Sequence, residues 1–546
     1  MAEKVFTEII LNTERLETRM ALLRDHRLEE YQLARVENTP QPGSIYLGRI
    51  INLEPSLQAA FVDIGAARNA FLHYHDMLEC DHELVEVTRL APETEAAAKP
   101  SRRSRGGRDR RASSSGKAFE LRSRAKNSKK LTFDDIPKLY KPGTEILVQV
   151  VKGEISTKGA RLTTNISIAG RYLVLLPYSP HIGLSTKIDN KAERDRLRKI
   201  LSDLEVPEGM GLICRTVGEG RKSTFFQNDL ELLLDSWQNL ETLVNTRKAP
   251  VRVYSEPGLV ERTARDFLTD DIDRIVVDGE ESYHKICEML DRFGGRKLTA
   301  KIEHYRNAQP IFDRYKVDSQ LKDVLRREVK LPSGGCIVID ETEAMIAIDV
   351  NTGHGKRQTT DQPELILKTN LEAADEIARQ LRLRNVGGLV VLDFIDMRSA
   401  KDRDELFRHM KKLAKLDRAK TKVLPLSKLG LMEMTRQREE ASVLNRVYDS
   451  CPCCHGTGLI KSATSMSVEI QRELHRLLRQ PGLQGKPIRV VMHPIVLDRL
   501  KSEDAKLLEE LESASGNTLS FRADPMFHYE EFHFVDPVSG ISIGGK

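Results

Sequence analysis

Two apolar runs in this chain end on carboxylates: Met345–Thr352 (MIAIDVNT) and Leu389–Met397 (LVVLDFIDM). Each has the character of a buried strand, and neither has a reason to bury an acid unless that acid does chemistry. Between them, the stretch from Pro363 to Arg384 puts Leu371, Ala374, Ile377, Ala378 and Leu381 on one helical face. Gly387 and Gly388 then end the helix and admit the second strand. Strand, helix, strand predicts a crossover that lays the strands parallel and near each other. Asp349 and Asp393 should then emerge side by side at the carboxyl ends, where open α/β sheets keep their sites. With the amide of Asn351 and a further acid at Asp396, they suit a hard divalent cation such as Mg²⁺. The competing reading is structural: acids that cap helices or close turns.

A second cluster, Cys451–Gly458 (CPCCHGTG), has the form of half a zinc knuckle. Cys451 and Cys454 present two thiolates from one turn, and the glycines let backbone amides point at sulfur. Structural zinc takes four ligands, and the chain has no second C-x-x-C. Either Cys453 and His455 join in, or a second copy of the chain supplies the other two. A redox C-x-x-C is the alternative, though no thioredoxin-like unit surrounds it. The four other cysteines, Cys80, Cys214, Cys287 and Cys336, are scattered singly and read as core residues. An odd total of seven argues against a disulfide framework and for a reducing cytoplasm.

At 546 residues the chain is long enough for three or four domains. The amino-terminal residues lack an apolar signal core, and no apolar run approaches a membrane span. The net charge of +5 conceals its distribution. Lys99–Lys130 holds thirteen Lys or Arg against two acids, +11 in all, so the remainder sums to −6. Poor in apolar residues, this segment reads as a disordered basic arm that attracts phosphate backbones without reading bases, or else as a solvated insertion with no partner. It interrupts a run of short strands: 44–53, 59–64, 69–72, 142–151 and 159–164. These predict a small OB-like barrel, a fold whose face commonly binds single-stranded nucleic acid. Phe61 and Phe71 are its candidate stacking platforms, the alternative being that both are core. Residues 170–260 form a second α/β region, 260–325 alternate helix and strand, and helices and strands follow Ile460.

Several of these segments closely resemble the bacterial ribonuclease E/G family: Ile348–Asn351, Thr369–Arg384, Gly387–Met397, Cys451–Gly458, Glu54–Asp63 and Pro207–Thr216. The resemblance covers nearly the whole chain apart from a basic insertion at about 85–131. Because the chain stops soon after the small carboxyl-terminal domain, it looks more like ribonuclease G than like ribonuclease E with its long scaffold tail. The family implies an α+β multidomain fold. An RNase H-like subdomain would take residues 1–40 and 261–325, an S1-type OB-fold 41–166, and a 5′-sensor region 167–260. A DNase I-like catalytic subdomain would take 326–447, a zinc-link 448–461, and a small C-terminal α/β domain 462–546.

By motif match, Asp349 and Asp393 would hold a catalytic Mg²⁺ with Asn351 in support, and Cys451 and Cys454 a Zn²⁺ shared between protomers of a homodimer or homotetramer. Phe61, Phe71 and Lys158 would contact RNA. Gly170, Val174, Arg215, Thr216 and Lys420 would sense a 5′-monophosphate. Lys420 stands where the family usually has Arg, keeping the charge but losing the planar fork. The resemblance implies a cytoplasmic, Mg²⁺-dependent endoribonuclease that cuts single-stranded, A/U-rich RNA in ribosomal RNA precursors and messenger RNA. A non-catalytic RNA-binding protein of the same fold is the principal rival, and a phosphoesterase acting on DNA or small substrates the second.

Overall fold

In the computed structural model the two acidic runs become neighbouring strands, Met345–Asn351 and Gly388–Asp393. They run parallel and in register from Met345 opposite Leu389 to Asp349 opposite Asp393. The structure describes residues 5–35, 39–78, 133–154, 159–269, 271–292, 299–342, 344–352, 362–437, 442–480, 482–483 and 485–545. The basic insertion at 85–131 and Lys158 lie outside these residues. The helix Gln362–Leu383 makes the crossover. Antiparallel neighbours widen the sheet to six strands, in the order Glu328–Lys330, Cys336–Glu341, Met345–Asn351, Gly388–Asp393, Leu431–Arg436, Thr421–Val423.

Neither central strand is buried on both faces, contrary to the expectation from their composition. Ile346, Ile348 and Val350 turn inward, onto Ala373, Ala374, Ile377 and Leu381 of the crossover helix and onto Leu406 and Met410 of the helix Ala400–Leu416. Burial of each large side chain there contributes about 1.5–3 kcal/mol. Met345 and Leu389 turn outward and are each 41% exposed. A run of apolar residues does not disclose which face of its sheet is covered. The helix also stops differently from the sequence reading. Asn385, at φ 47°, makes the left-handed turn, and the Val386 N–H returns to the Leu381 carbonyl at 3.2 Å. Asn supplies that turn in place of Gly, and Gly388, at φ 108°, only begins the next strand.

Two compact units make up the chain, Met1–Arg446 and Val447–Lys546. Three more sheets complete the first. Thr7–Thr13, Glu17–Arg24 and Arg27–Arg35 form a meander, and Thr7–Thr13 also pairs in parallel with Arg274–Val277, which pairs with Ile302–His304. Strands between Thr7 and Arg35 and strands between Arg274 and His304 thus share one sheet although far apart in sequence.

The second of these sheets is a closed barrel of Ile45–Glu54, Ala59–Asp63, Ala70–His73, Arg161–Thr163 and Glu145–Lys152, the last pairing back onto Ile45–Glu54. Gly48 is required where the barrel is tight: a Cβ there would lie 2.6 Å from the Val62 side chain. Val251–Tyr254 adds to the same sheet at Ile45–Glu54, so the stretch 167–260 does not keep all its strands to itself. The third sheet has the order Ile182–Leu184, Gly211–Cys214, Leu173–Leu176, Ile168–Ala169, and its core includes Phe226, Leu230 and Leu233 of the long helix Ser223–Thr246.

The second unit packs Met466, Ile470 and Leu474 of the helix Ala463–Leu478 against a four-stranded sheet through Ile488, Val490, Phe532 and Phe534. No helix among the described residues is long and apolar enough to cross a membrane.

Candidate functional site

Asp349 and Asp393 are direct partners across the parallel pair, and both are exposed on the open face of their sheet. Asn351 lies two residues further along the same face, where its Nδ2 donates to Asp349 Oδ2 at 2.6 Å. That bond uses an N–H and leaves the amide oxygen as a neutral donor beside the two carboxylates. Asp396 is exposed in the loop beyond, approached by Gly430, whose Cβ would sit 3.4 Å from Asp396 Oδ1. Hard oxygen donors of this kind fit Mg²⁺, which takes one or two carboxylates and keeps several waters. No three His, Cys, Asp or Glu side chains among the described residues are grouped to hold a metal ion on their own.

The loop that carries Asp396 is held by a residue to which the sequence reading gave no role. Asn370, fully buried in the crossover helix, donates to the Ile395 carbonyl at 2.8 Å and accepts from the Ile395 N–H at 3.1 Å. A buried Asn on an otherwise apolar helical face was the available signal. It ties helix to loop just past Asp393.

Arg215, Thr216 and Lys420, remote in sequence, line one cleft of about 890 Å³. Eleven Arg or Lys face it against six Asp or Glu, so it favours anions. Arg215 caps the short 3-10 turn Thr216–Gly218, and its Nη1 donates to the Gly170 carbonyl at 2.6 Å and pairs with Asp266 Oδ1 at 2.6 Å. Gly170 therefore contributes backbone and does not line the cleft, and neither does Val174, half-buried in Leu173–Leu176. Only glycine fits at 170, because a Cβ would meet the Asp229 carboxylate at 2.6 Å.

Asp229, buried, accepts from the N–H groups of Arg171, Tyr172 and Leu173 at 3.1, 2.8 and 2.8 Å, while burial pushes its carboxyl above the usual range. Arg171, also buried, donates to the carbonyls of Ala264 and Leu268, both at 2.5 Å. It thereby fixes the end of the helix Leu259–Asp266, which delivers Asp266 to Arg215. Burial raises the Asp266 carboxyl, but Arg215 and Arg265 outweigh it and hold the group below its ordinary value. Asp229, Arg171 and Asp266 had no recognisable sequence signal, since each works through a contact distant along the chain.

A model of the ribonuclease E/G family matches residues 167–439, which include Asp349, Asp393, Arg215, Thr216 and Lys420. Ribonuclease G of Escherichia coli (strain K12) is 35% identical over 530 residues, 97% of this chain and 99% of its own length. The chain belongs to the ribonuclease E/G family. Ribonuclease G of Haemophilus influenzae is 33% identical over 97% of this chain and 99% of its own length. Ribonuclease E of Escherichia coli (strain K12) is 37% identical over 85% of this chain but only 40% of its own length.

In this member of the ribonuclease E/G family the barrel turns Phe61 and Phe71 outward. They are cross-strand partners, half-buried, with ring centroids 6.0 Å apart at 75°. Their neighbours Ala60, Val62, Ala70 and Leu72 fill the barrel core instead. An edge-to-face pair at the surface offers ring area to an unpaired base.

In the second unit the Cys451 turn closes with the His455 N–H on the Cys451 carbonyl at 2.8 Å, His455 and Gly456 taking φ values of 48° and 89°. The N–H groups of Cys454 and Cys453 point at the Cys451 sulfur and hold its thiol below the ordinary value, which suits a thiolate ligand. The exposure of Cys451 suits a ligand shared with another molecule.

Proposed function

We propose that this protein is an endoribonuclease that cuts single-stranded, A/U-rich RNA with Mg²⁺ and is stimulated by a 5′-monophosphate. The observation that carries the reading is the register pairing of Asp349 with Asp393 on an open sheet face in a chain of this family. Mg²⁺ bound there would supply positive charge against the scissile phosphate and ease deprotonation of the attacking water. Asp349 and Asp393 hold the cation, Asn351 orients Asp349, and Asn370 keeps the following loop in position. Phe61 and Phe71 select unpaired substrate, because only splayed bases can lie on their rings.

The subdomain scheme proposed with this reading joins 1–40 to 261–325 as RNase H-like, with an S1-type OB-fold and a DNase I-like catalytic part. Arg215, Thr216 and Lys420 would receive the 5′-phosphate, with Gly170 and Val174 shaping their support. Cys451 and Cys454 would share a Zn²⁺ with a second protomer in a homodimer or homotetramer. Processing of ribosomal RNA precursors and messenger RNA decay in the cytoplasm are the proposed roles, as the family resemblance of the sequence motifs implies.

Incubation with Mg²⁺ and labelled single-stranded RNA or DNA tests the reading. Internal cleavage of RNA alone is the expected result. Binding without cleavage would favour a non-catalytic RNA-binding protein, and equal cleavage of DNA a broader phosphoesterase.

A further inference from the structure

Arg418 faces the same cleft as Arg215, Thr216 and Lys420. Its guanidinium lies flat on the buried Phe267 ring, with Cζ 3.4 Å from the centroid. In that position its partners among the described residues are few and long: the Asp266 carbonyl at 3.5 Å and Glu30 Oε2 at 4.0 Å. Five N–H donors in a planar fork are thereby left largely unmet, and 46% of the side chain is open. An arginine so placed costs desolvation, and burial together with the like charge of Arg215 lowers its pKa despite nearby acids.

The backbone beneath Arg418 is clamped. Arg436 grips the Asp417 carboxylate through bonds of 2.7 and 3.2 Å, and Lys187 Nζ donates to the carbonyls of Asp417 and Arg418 at 2.9 and 3.2 Å. Arg215 and Arg418 thus both face this cleft, Arg215 braced by the Asp266 carboxylate and Arg418 by the Phe267 ring. Asp266 links the two, its carboxylate on Arg215 and its carbonyl near Arg418. Preorganised, mutually repelling cations with unmet donors are what an anion relieves.

We propose that Arg418 is the second arm of the anion site, taking the terminal phosphate of an RNA 5′ end from the side opposite Arg215. It supplies the planar fork that Lys420 lacks. The proposal rests on the sensor reading and deepens it. Lys420, exposed at the same cleft, then contributes charge at the rim, and Arg418 contributes geometry.

The test is equilibrium binding of one single-stranded RNA oligonucleotide, with either a 5′-monophosphate or a 5′-hydroxyl. The full-length protein is used without divalent cation. The ratio of the two Kd values is the readout, and thermal melts of each variant verify folding. Wild type should favour the phosphate. Arg418→Gln should cut that preference about tenfold, as loss of one charge-assisted fork predicts. Arg418→Lys should recover part of it, because charge returns without the planar fork. A wild-type preference that survives Arg418→Gln intact overturns this proposal alone, especially if Arg215→Ala abolishes it. A wild-type ratio of one overturns the sensor reading, and this proposal with it.

Discussion

Replacing Asp393 by Asn should have opposite effects on stability and on catalysis. Asp349 and Asp393 are register partners on neighbouring strands, which lie about 5 Å apart. Two unit charges at that spacing in a watery setting repel by roughly 0.8 kcal/mol. A Debye length of about 8 Å at physiological salt trims this to about 0.4 kcal/mol. Without Mg²⁺, then, Asp393→Asn should be as stable as wild type or firmer by about that amount. With Mg²⁺ at roughly a hundred times its Kd, wild type should gain about 2.7 kcal/mol from linkage, and the variant very little. Urea unfolding in EDTA and in Mg²⁺, followed by circular dichroism, measures both increments, and cleavage of labelled RNA measures the third quantity, which should vanish. Asp393→Ala destabilised in EDTA by more than about 1 kcal/mol, where Asp393→Asn is not, would identify Asp393 as a turn-closing acid, since Asn keeps a cap and its loss to Ala costs about that much. Equal Mg²⁺ increments in both proteins would refute the cation assignment.

Asn370→Ala should cost about 1–3 kcal/mol, because it strands the partly buried N–H and carbonyl of Ile395; unchanged urea stability would contradict the tie between helix and loop. Phe61→Ala or Phe71→Ala should weaken single-stranded RNA binding by about 1–3 kcal/mol per stacked base, and equal loss of duplex binding would count against stacking. For Asp266, Arg215 and Arg265 hold the folded pKa below the unfolded one, so the group contributes stability above the unfolded pKa and loses it as pH falls through the folded pKa. Unfolding measured from about pH 5 downward should therefore show a shallower acid loss in Asp266→Asn than in wild type. Metal analysis should give one zinc per two chains, and Cys451→Ser with Cys454→Ser should dissociate the oligomer, as read by light scattering; one zinc per chain would point to a local site with Cys453 or His455.

The crossover and its register were legible in the sequence, because period and length alone distinguish an apolar strand ending on Asp from the amphipathic helix that follows. Asp349 and Asp393 were legible for the same reason: an acid at the end of an apolar run breaks the pattern. The Cys451 turn was legible through its spacing, and Phe61 and Phe71 through their strands, though not which way they point. That was decided by closure of the barrel, which gave its interior to Ala60, Val62, Ala70 and Leu72. The open face beside the acids was likewise decided by which side the helices cover. Of the anion cleft, Arg215, Thr216 and Lys420 were reached only through the family resemblance, and their meeting with Asp266 and Arg418 belongs to tertiary structure. Arg215, Asp266 and Arg418 come from three separate stretches of chain, and each is an ordinary charged residue in a sequence rich in them. Sequence carries composition and period along one dimension, whereas a charge acts through its few ångströms of surroundings, and only folding supplies those neighbours.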